Sequence, residues 1–519
     1  MTSDATHDEQ LALVVDLGTT GMKVGLATLG GSIVCSTATE LQSDLGDDGS
    51  ATQDPESWWA LLGASAREIL ASGDADPDRI VAVGVTGQWA STVPTRADGS
   101  PAGPCLLWLD TRGGPAVRQR IGGRVAGYDV RKLLPFIRAS GGAPSLDGAD
   151  PMGQRLVITE SMPEVDAATR WFCEPVDHLT ARLTGRATAT AASMTGSWLV
   201  NLRRGRRSAY QRGLVRTAGA DLDRLPPLVP LLSTVGPLTA GAASHLGLTG
   251  RPQVITGLPD AHSAALGSGA TADGSAHLSI GTTSWISCHV ERPKTDVGDQ
   301  MATIPGVWDD RFLVANNHET SGRALAWARD ALFGADDSPS YVELDALAAT
   351  VPAGSGEVLF TPWLAGERSP MADKSARAGF HNVGLGATRG HLVRAVLEGV
   401  AFNDRWLHEA VEAFVGHRLD PVRMVGGGAA SELWCQIHAD VMDRTIEQVD
   451  RPLDAGLRGA ALACGLALGT VRRDEVDGLV RVRRRFEPDA ANRAVYDRLF
   501  AEFPGLYPAQ KPMFRRLNR

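Results

Sequence analysis

Leu13-Val-Val-Asp-Leu-Gly-Thr-Thr-Gly-Met-Lys23 stands near the start of the chain, and Leu278-Ser-Ile-Gly-Thr-Thr-Ser-Trp-Ile286 stands in its second half. Each reads as an apolar strand, a tight Gly-Thr-Thr turn and a second apolar strand. Glycine at such a turn lets backbone N–H groups approach an anion closely, and the threonines add hydroxyl donors. One hairpin in each half suggests two related domains facing a shared polyphosphate. Only the first hairpin carries an acid, Asp16, just before its glycine. That asymmetry fits one metal-associated loop and one loop that only donates hydrogen bonds.

Outward from the hairpins, strands and helices alternate, which argues an α/β fold. Residues 11–15, 22–28 and 32–39 read as three successive strands. Residues 55–72 read as a helix, opened by Asp54 ahead of Pro55 at the first helical position. A buried strand over 80–85 ends at Thr86-Gly87-Gln88-Trp89. Residues 140–153 read as a loop or insertion, and 226–236 as a proline-rich connector. A short strand over 253–256 runs into Gly257-Leu-Pro-Asp260. A second set then begins, with helices over 322–333 and 391–415. A strand over 423–425 runs into Gly426-Gly-Gly428, and a helix follows through Met442. The expected division is an N-terminal domain over 10–257, a C-terminal domain over 258–485 and a helical extension over 486–519.

Composition narrows the function. A chain of 519 residues is too long for one core and suits two large domains. Apolar content of 43% and charged content of 21% are ordinary for a globular protein. A net charge of -9 argues against nucleic acid, which wants a basic face. No apolar run reaches membrane-spanning length, and residues 1–10 are polar with no secretory pattern. The six cysteines are scattered singly, with no CxxC or Cys/His cluster, so reduced thiols are expected rather than disulfides or zinc. The expected setting is cytoplasmic, with a small-molecule partner, no nucleic acid and no membrane; a homodimer is left open. Lys23 is one of only five lysines among 51 basic residues.

Several motifs in order carry a resemblance. They are Asp16-Leu-Gly-Thr-Thr20, Gln88 after its strand, Trp108-Leu-Asp110-Thr-Arg112, Gly257-Leu-Pro-Asp260, Ser279-Ile-Gly-Thr-Thr283, Trp363-Leu-Ala-Gly-Glu-Arg-Ser-Pro370, His391-Leu-Val-Arg-Ala-Val-Leu-Glu-Gly399 and Val425-Gly-Gly-Gly428. Over residues 10–510 the chain resembles the FGGY carbohydrate kinases, with a pattern like that of their xylulokinase branch. The resemblance implies a two-domain actin-like ATPase (ribonuclease H-like) fold with the active site in the interdomain cleft. It implies transfer of the γ-phosphoryl group of ATP, with Mg²⁺, to a ketose or polyol hydroxyl. Three departures concern the sugar side. Trp89-Ala90 replaces a usual Met-His, Asp260-Ala261-His262 replaces a usual Asp-Asn, and a Lys-x-x-Trp element is absent from residues 143–160. The nucleotide side matches well.

Phosphoryl transfer needs positioning and charge stabilisation more than covalent help. Asp16, where a strand meets the phosphate turn, is the candidate metal residue; alternatively it only ties down the turn. Gly18, Thr19, Thr20 and Lys23, with Gly281, Thr282 and Thr283, are the candidate phosphate contacts. Gly427, Gly428 and Ser431 are the candidate adenosine contacts. Asp260 is the candidate general base, since a carboxylate at the cleft floor reaches a hydroxyl proton; the structural alternative is a helix N-cap. Gln88, Trp89, Asp260 and His262 are the candidate acceptor contacts, because aromatic faces stack on sugars while amides and imidazoles bond hydroxyls. The structural alternative for Trp89 and His262 is core packing. Arg112 and Glu398 read as structural. Other readings are a kinase for another polyol or small hydroxylated signal, and a non-catalytic actin-fold ATP sensor. A sensor needs no base, so the pairing of Asp16 with Asp260 favours catalysis.

The bulk of Trp89 and the lack of an amide at Ala261 lead to an expected outcome: D-xylulose is not the best acceptor. A coupled ADP-release assay over pentuloses, hexuloses, glycerol and four- to six-carbon polyols checks it. The highest kcat/KM with D-xylulose would refute it.

Overall fold

Both Gly-Thr-Thr stretches fold as hairpins. The computed structural model describes residues 9–73, 76–203, 208–296, 298–334 and 338–518, so most of the polar start of the chain lies outside the described residues. Strands β1 (Leu11–Leu17), β2 (Gly21–Thr28) and β3 (Ile33–Glu40) form an antiparallel meander. Strand β4 (Ile80–Gly87) lies parallel to β1, and β5 (Thr234–Pro237) and β6 (Gln253–Ile255) complete the order β5-β6-β4-β1-β2-β3.

The second sheet is built from β7 (Ala276–Ile280), β8 (Ser284–Val290), β9 (Thr295–Asp296), β10 (Met301–Pro305), β11 (Phe312–Ala315), β12 (Val422–Val425), β13 (Ile446–Val449) and β14 (Val482–Phe486). Its order is β9-β10-β11-β8-β7-β12-β13-β14. The central five strands of the two sheets, β3-β2-β1-β4-β6 and β11-β8-β7-β12-β13, match in order and in sense. The duplication suggested by the two hairpins is therefore a duplication of sheets.

Strand β1 is apolar without alternation because it is covered on both faces. Leu11, Leu13, Val15 and Leu17 pack with Trp58, Leu62, Ala66 and Ile69 of α1 (Pro55–Ala71). That helix starts where the sequence says. Asp54 accepts the N–H of Glu56, and Pro55 fills a position that needs no donor. The other face of β1, Ala12 and Val14, belongs to a different cluster.

Five further helices complete the frame: α2 (Asp260–Ser268), α3 (Arg389–Val415), α4 (Glu432–Met442), α5 (Ala455–Leu468) and α6 (Ala490–Leu517). Helices α3, α4 and α6 cover one face of the second sheet with Phe402, Trp434, Tyr496, Phe503 and Phe514. The terminal segment expected as an extension thus contributes aromatic side chains to the second core. Helices α2 and α5 cross over. Helix α2 follows the first sheet, yet Ala265 and Leu266 pack with Leu313, Val425 and Val449 of the second. Helix α5 follows the second sheet, yet Leu457, Ala460, Ala461 and Cys464 pack with Ala12, Val14, Ala27 and Ala82 of the first.

The two crossing helices touch backbone to backbone. A Cβ at Gly267 would overlap the carbonyl oxygen of Ala455, and a Cβ at Gly459 would overlap that of Ser263. Residues 140–153, expected as a loop, are irregular only as far as Asp150. That residue caps the helix Pro151–Ser161 by accepting the N–H groups of Met152 and Gly153. No helix among the described residues is long and apolar enough to cross a membrane.

Gly459→Ala has no room at this crossing and no flexible side chain to yield. The expected cost is ~1–3 kcal/mol of unfolding free energy, typical of overpacking. A denaturant titration of the variant against the parent measures it.

Candidate active site

The first turn closes when Gly18 N–H donates to the Gly21 carbonyl at 2.9 Å. Buried polar groups then brace it. The Thr19 hydroxyl donates to Gln88 Oε1 at 3.2 Å and accepts from Trp108 Nε1 at 3.2 Å. Gln53 Nε2 donates to the Thr19 carbonyl at 2.7 Å, and Gln88 Nε2 donates to Gln53 Oε1 at 3.0 Å. Gln88, expected at the acceptor, is only 4% exposed and serves here as a brace for the turn. Thr20 is exposed, and its hydroxyl has no partner among the described residues.

The second turn is more open. Gly281 N–H donates to the Thr283 carbonyl at 2.9 Å, while the carbonyls of Gly281 and Thr282 accept from Gly322 and Ser321. Gly281 and Thr282 are exposed. The hydroxyls of Thr282 and Thr283 have no partner among the described residues. This hairpin keeps its donors free, and the first spends Thr19 on rigidity.

Asp16 sits on β1 opposite Lys23 on β2. Its carboxylate lies against Gly456, in the first turn of α5, where any Cβ would displace it. Burial pushes its pKa up, the Lys23 charge pulls it down and Asp454 pushes it up again. Among the described residues no hydrogen bond satisfies it. Lys23, expected at a phosphate, donates to the Leu453 carbonyl at 2.5 Å. Both side chains of the first hairpin therefore reach the turn that opens α5.

Asp260 is the first residue of α2, so the cap position falls on Pro259. Its carboxylate accepts the N–H of Ala261 at 2.7 Å. The group is open to solvent on one side yet crowded by surrounding atoms on the others. That crowding raises its pKa to about 6; the Ala261 N–H opposes the rise, and the charge of Asp16 adds to it. The acid of the first hairpin and the acid of the crossover helix thus sit within electrostatic reach of each other.

Trp89 is half-buried and donates its indole N–H to the Ser193 carbonyl at 2.8 Å. Trp89 and Ala261 pack on the same cluster, which includes Leu258 and Trp308. His262 is a correction to the sequence reading. It has no exposed surface, and its Nε2 lies 2.8 Å from the Pro305 carbonyl. Burial lowers its pKa to about 4, so at neutral pH it is an uncharged core residue, not an acceptor contact. Asp110 is also structural, holding Arg112 at 2.5 Å and the Ala51 N–H at 3.1 Å.

In the glycine turn after β12, Gly426 has φ +86° and lies against the Ile280 carbonyl, where a Cβ would clash. Gly427 is exposed beside Leu453, and Gly428 is buried against Ile280 and Trp434. Ser431 caps α4 by accepting the Trp434 N–H at 3.0 Å. Sequence reasoning missed Gln53 and Gly456. Small residues at 456, 459, 460 and 463 signalled a helix built for close approach, but not its target.

The family model for the FGGY carbohydrate kinase N-terminal domain matches residues 11–132, and the model for the C-terminal domain matches residues 276–468. The chain belongs to the FGGY family of carbohydrate kinases. It is 26% identical over 512 residues to a xylulose kinase of Staphylococcus epidermidis, covering 97% of this chain and 98% of that one. It is 28% identical over 478 residues to a glycerol kinase of Gloeobacter violaceus, covering 88% of each. The crystal structure of a xylulose kinase from Rhodospirillum rubrum superposes with a TM-score of 0.82 at 28% identity, covering 98% of this chain and all of that one. FGGY kinases share the actin-like ATPase fold and use ATP as phosphate donor, so the fold expected from the motifs and the kinase class both stand.

A base must be ionised to accept a proton. With the Asp260 carboxyl raised to about 6, kcat/KM is expected to fall tenfold per pH unit below that value and to level off above it. A pH profile at subsaturating acceptor checks this, and a limb near an ordinary carboxylate value of ~4 would contradict it.

Proposed function

We propose that this FGGY kinase phosphorylates a hydroxyl group of a ketose or polyol, with Asp260 as general base. The carrying observation is the electrostatic contact between Asp260 and Asp16, which brings one acid of each kind to the junction of the two sheets. The acceptor class is supported by the relatives named xylulose kinase and glycerol kinase. Trp89 offers an aromatic edge for the acceptor. The free hydroxyls of Thr20, Thr282 and Thr283 are suited to donate to phosphate oxygens, with Gly18 and Gly281 keeping the turns low. The open backbone at Gly427, backed by the buried Gly428 and followed by Ser431, is suited to adenosine.

Asp16 fits a divalent cation, because its crowded carboxylate has no hydrogen bond among the described residues that would otherwise satisfy it. Mg²⁺ held there would offset charge on the phosphates. The acceptor hydroxyl gives its proton to Asp260 as its oxygen bonds to the γ-phosphorus, while the bond from that phosphorus to the β–γ bridging oxygen breaks and ADP leaves with the electron pair. Crowding makes Asp260 a stronger base than an ordinary carboxylate while leaving it ionised at neutral pH. Asp16 needs its charge and Asp260 its basicity, so the two carboxyls divide the work. Five buried cysteines without a disulfide among the described residues support a reducing, cytoplasmic setting.

Asp260→Asn keeps shape and the bond to Ala261 but removes the base. The expected result is a kcat lower by ~10²–10⁴-fold, with thermal midpoint and ATP affinity retained. Near-normal kcat would reduce Asp260 to a structural role. In the same assay Asp16→Asn should lose most turnover, and normal turnover at limiting Mg²⁺ would remove its metal role.

A further inference from the structure

Glu174 is 2% exposed and makes no ion pair among the described residues, an expensive placement for a carboxylate. Burial pushes its pKa well up. It stands just before the helix Pro175–Thr184, and its Oε2 accepts the Ser91 N–H at 3.2 Å. The Ala90 N–H, on the same stretch, favours the ionised form of this carboxyl and partly opposes the rise. Ala90 has φ +60°, a left-handed conformation that a residue with a Cβ adopts at a cost. A second buried group grips the same peptide. Gln154 donates to the Ala90 carbonyl at 3.0 Å and accepts the Thr92 hydroxyl at 2.7 Å. Gly196 leaves space for the Ala90 methyl group. The other oxygen of Glu174 has no partner among the described residues, and with Arg155 it lines a small cavity beneath Ser91 and Thr92.

We infer that Glu174 is a positioning residue for the acceptor pocket. Its carboxyl holds the strained Ala90–Ser91 backbone and thereby sets where Trp89 stands on the cluster that Ala261 shares. The inference rests on the reading above that Trp89 borders the acceptor. Glu174 touches no substrate itself. It acts through the backbone N–H of Ser91, and what it requires is an acceptor atom, not a charge. Glutamine should therefore replace it, and leucine should not.

The test compares Glu174→Gln with Glu174→Leu, using D-xylulose as acceptor probe and hydrogen exchange of the 88–92 backbone as a substrate-free readout. Leaving the buried Ser91 N–H unpaired is expected to raise the D-xylulose KM roughly tenfold in the leucine variant, with the ATP KM unchanged. Exchange at Ala90 and Ser91 should speed up in that variant, while the glutamine variant stays close to wild type. Adding Ala90→Gly to Glu174→Leu should recover part of the KM, since glycine adopts the required φ unaided. A residue needed only for folding would show no such rescue. If the leucine variant does not fold, Glu174→Asp carries the same test, because it retracts the carboxyl by one methylene. Unchanged exchange, or an equal rise in both KM values, overturns the inference. A wild-type enzyme inactive on every sugar and polyol would overturn the proposed function instead, and the exchange data would still decide the role of Glu174.

Discussion

The backbone contact between α2 and α5 sets the geometry on which the rest depends. Gly267 meets the Ala455 carbonyl, and Gly459 meets the Ser263 carbonyl, so neither helix can shift without a clash. Each helix begins at one of the two acids of the proposed site. Helix α2 starts with Asp260, and the first turn of α5 receives the Asp16 carboxylate at Gly456. The spacing of the two acids is thus fixed by a crossing of two short helices, with no salt bridge between the sheets required to set it.

Around that crossing, the two hairpins have the same shape and different chemistry. The first is tied down by Gln53, Gln88 and Trp108 and is backed by an acid and a lysine that both reach the α5 turn. The second leaves its threonine hydroxyls unengaged. The asymmetry seen in the sequence as one extra aspartate is, in three dimensions, a difference in stiffness as well as charge.

Local rules made much of this legible. The hairpins, the Asp54 cap and the helix Gly322–Phe333 follow from turn chemistry, capping and period alone. Long-range partners were not legible. His262 looked available because nothing nearby in sequence says that β10 covers it; its bond reaches Pro305. Gln88 looked like a free amide until Gln53 and Thr19 claimed it. Helix α5 read as apolar, but a period of 3.6 residues gives a face and does not say which sheet that face meets. Asp150 was read as loop, and its cap on the helix Pro151–Ser161 ended the irregular segment early.

The exchange of helices between sheets binds the history of the two halves together. Ala12, Val14 and Ala82 of the first sheet are covered by a helix encoded beyond residue 454, and Val425 and Val449 of the second by one encoded near residue 260. Cutting the chain between them would strip each half of a lid that only the other can lend. The repeat in this topology is therefore a ratchet: once each copy had surrendered a helix to its twin, fission into two self-sufficient proteins was closed off, and the pair could only drift as one folding unit.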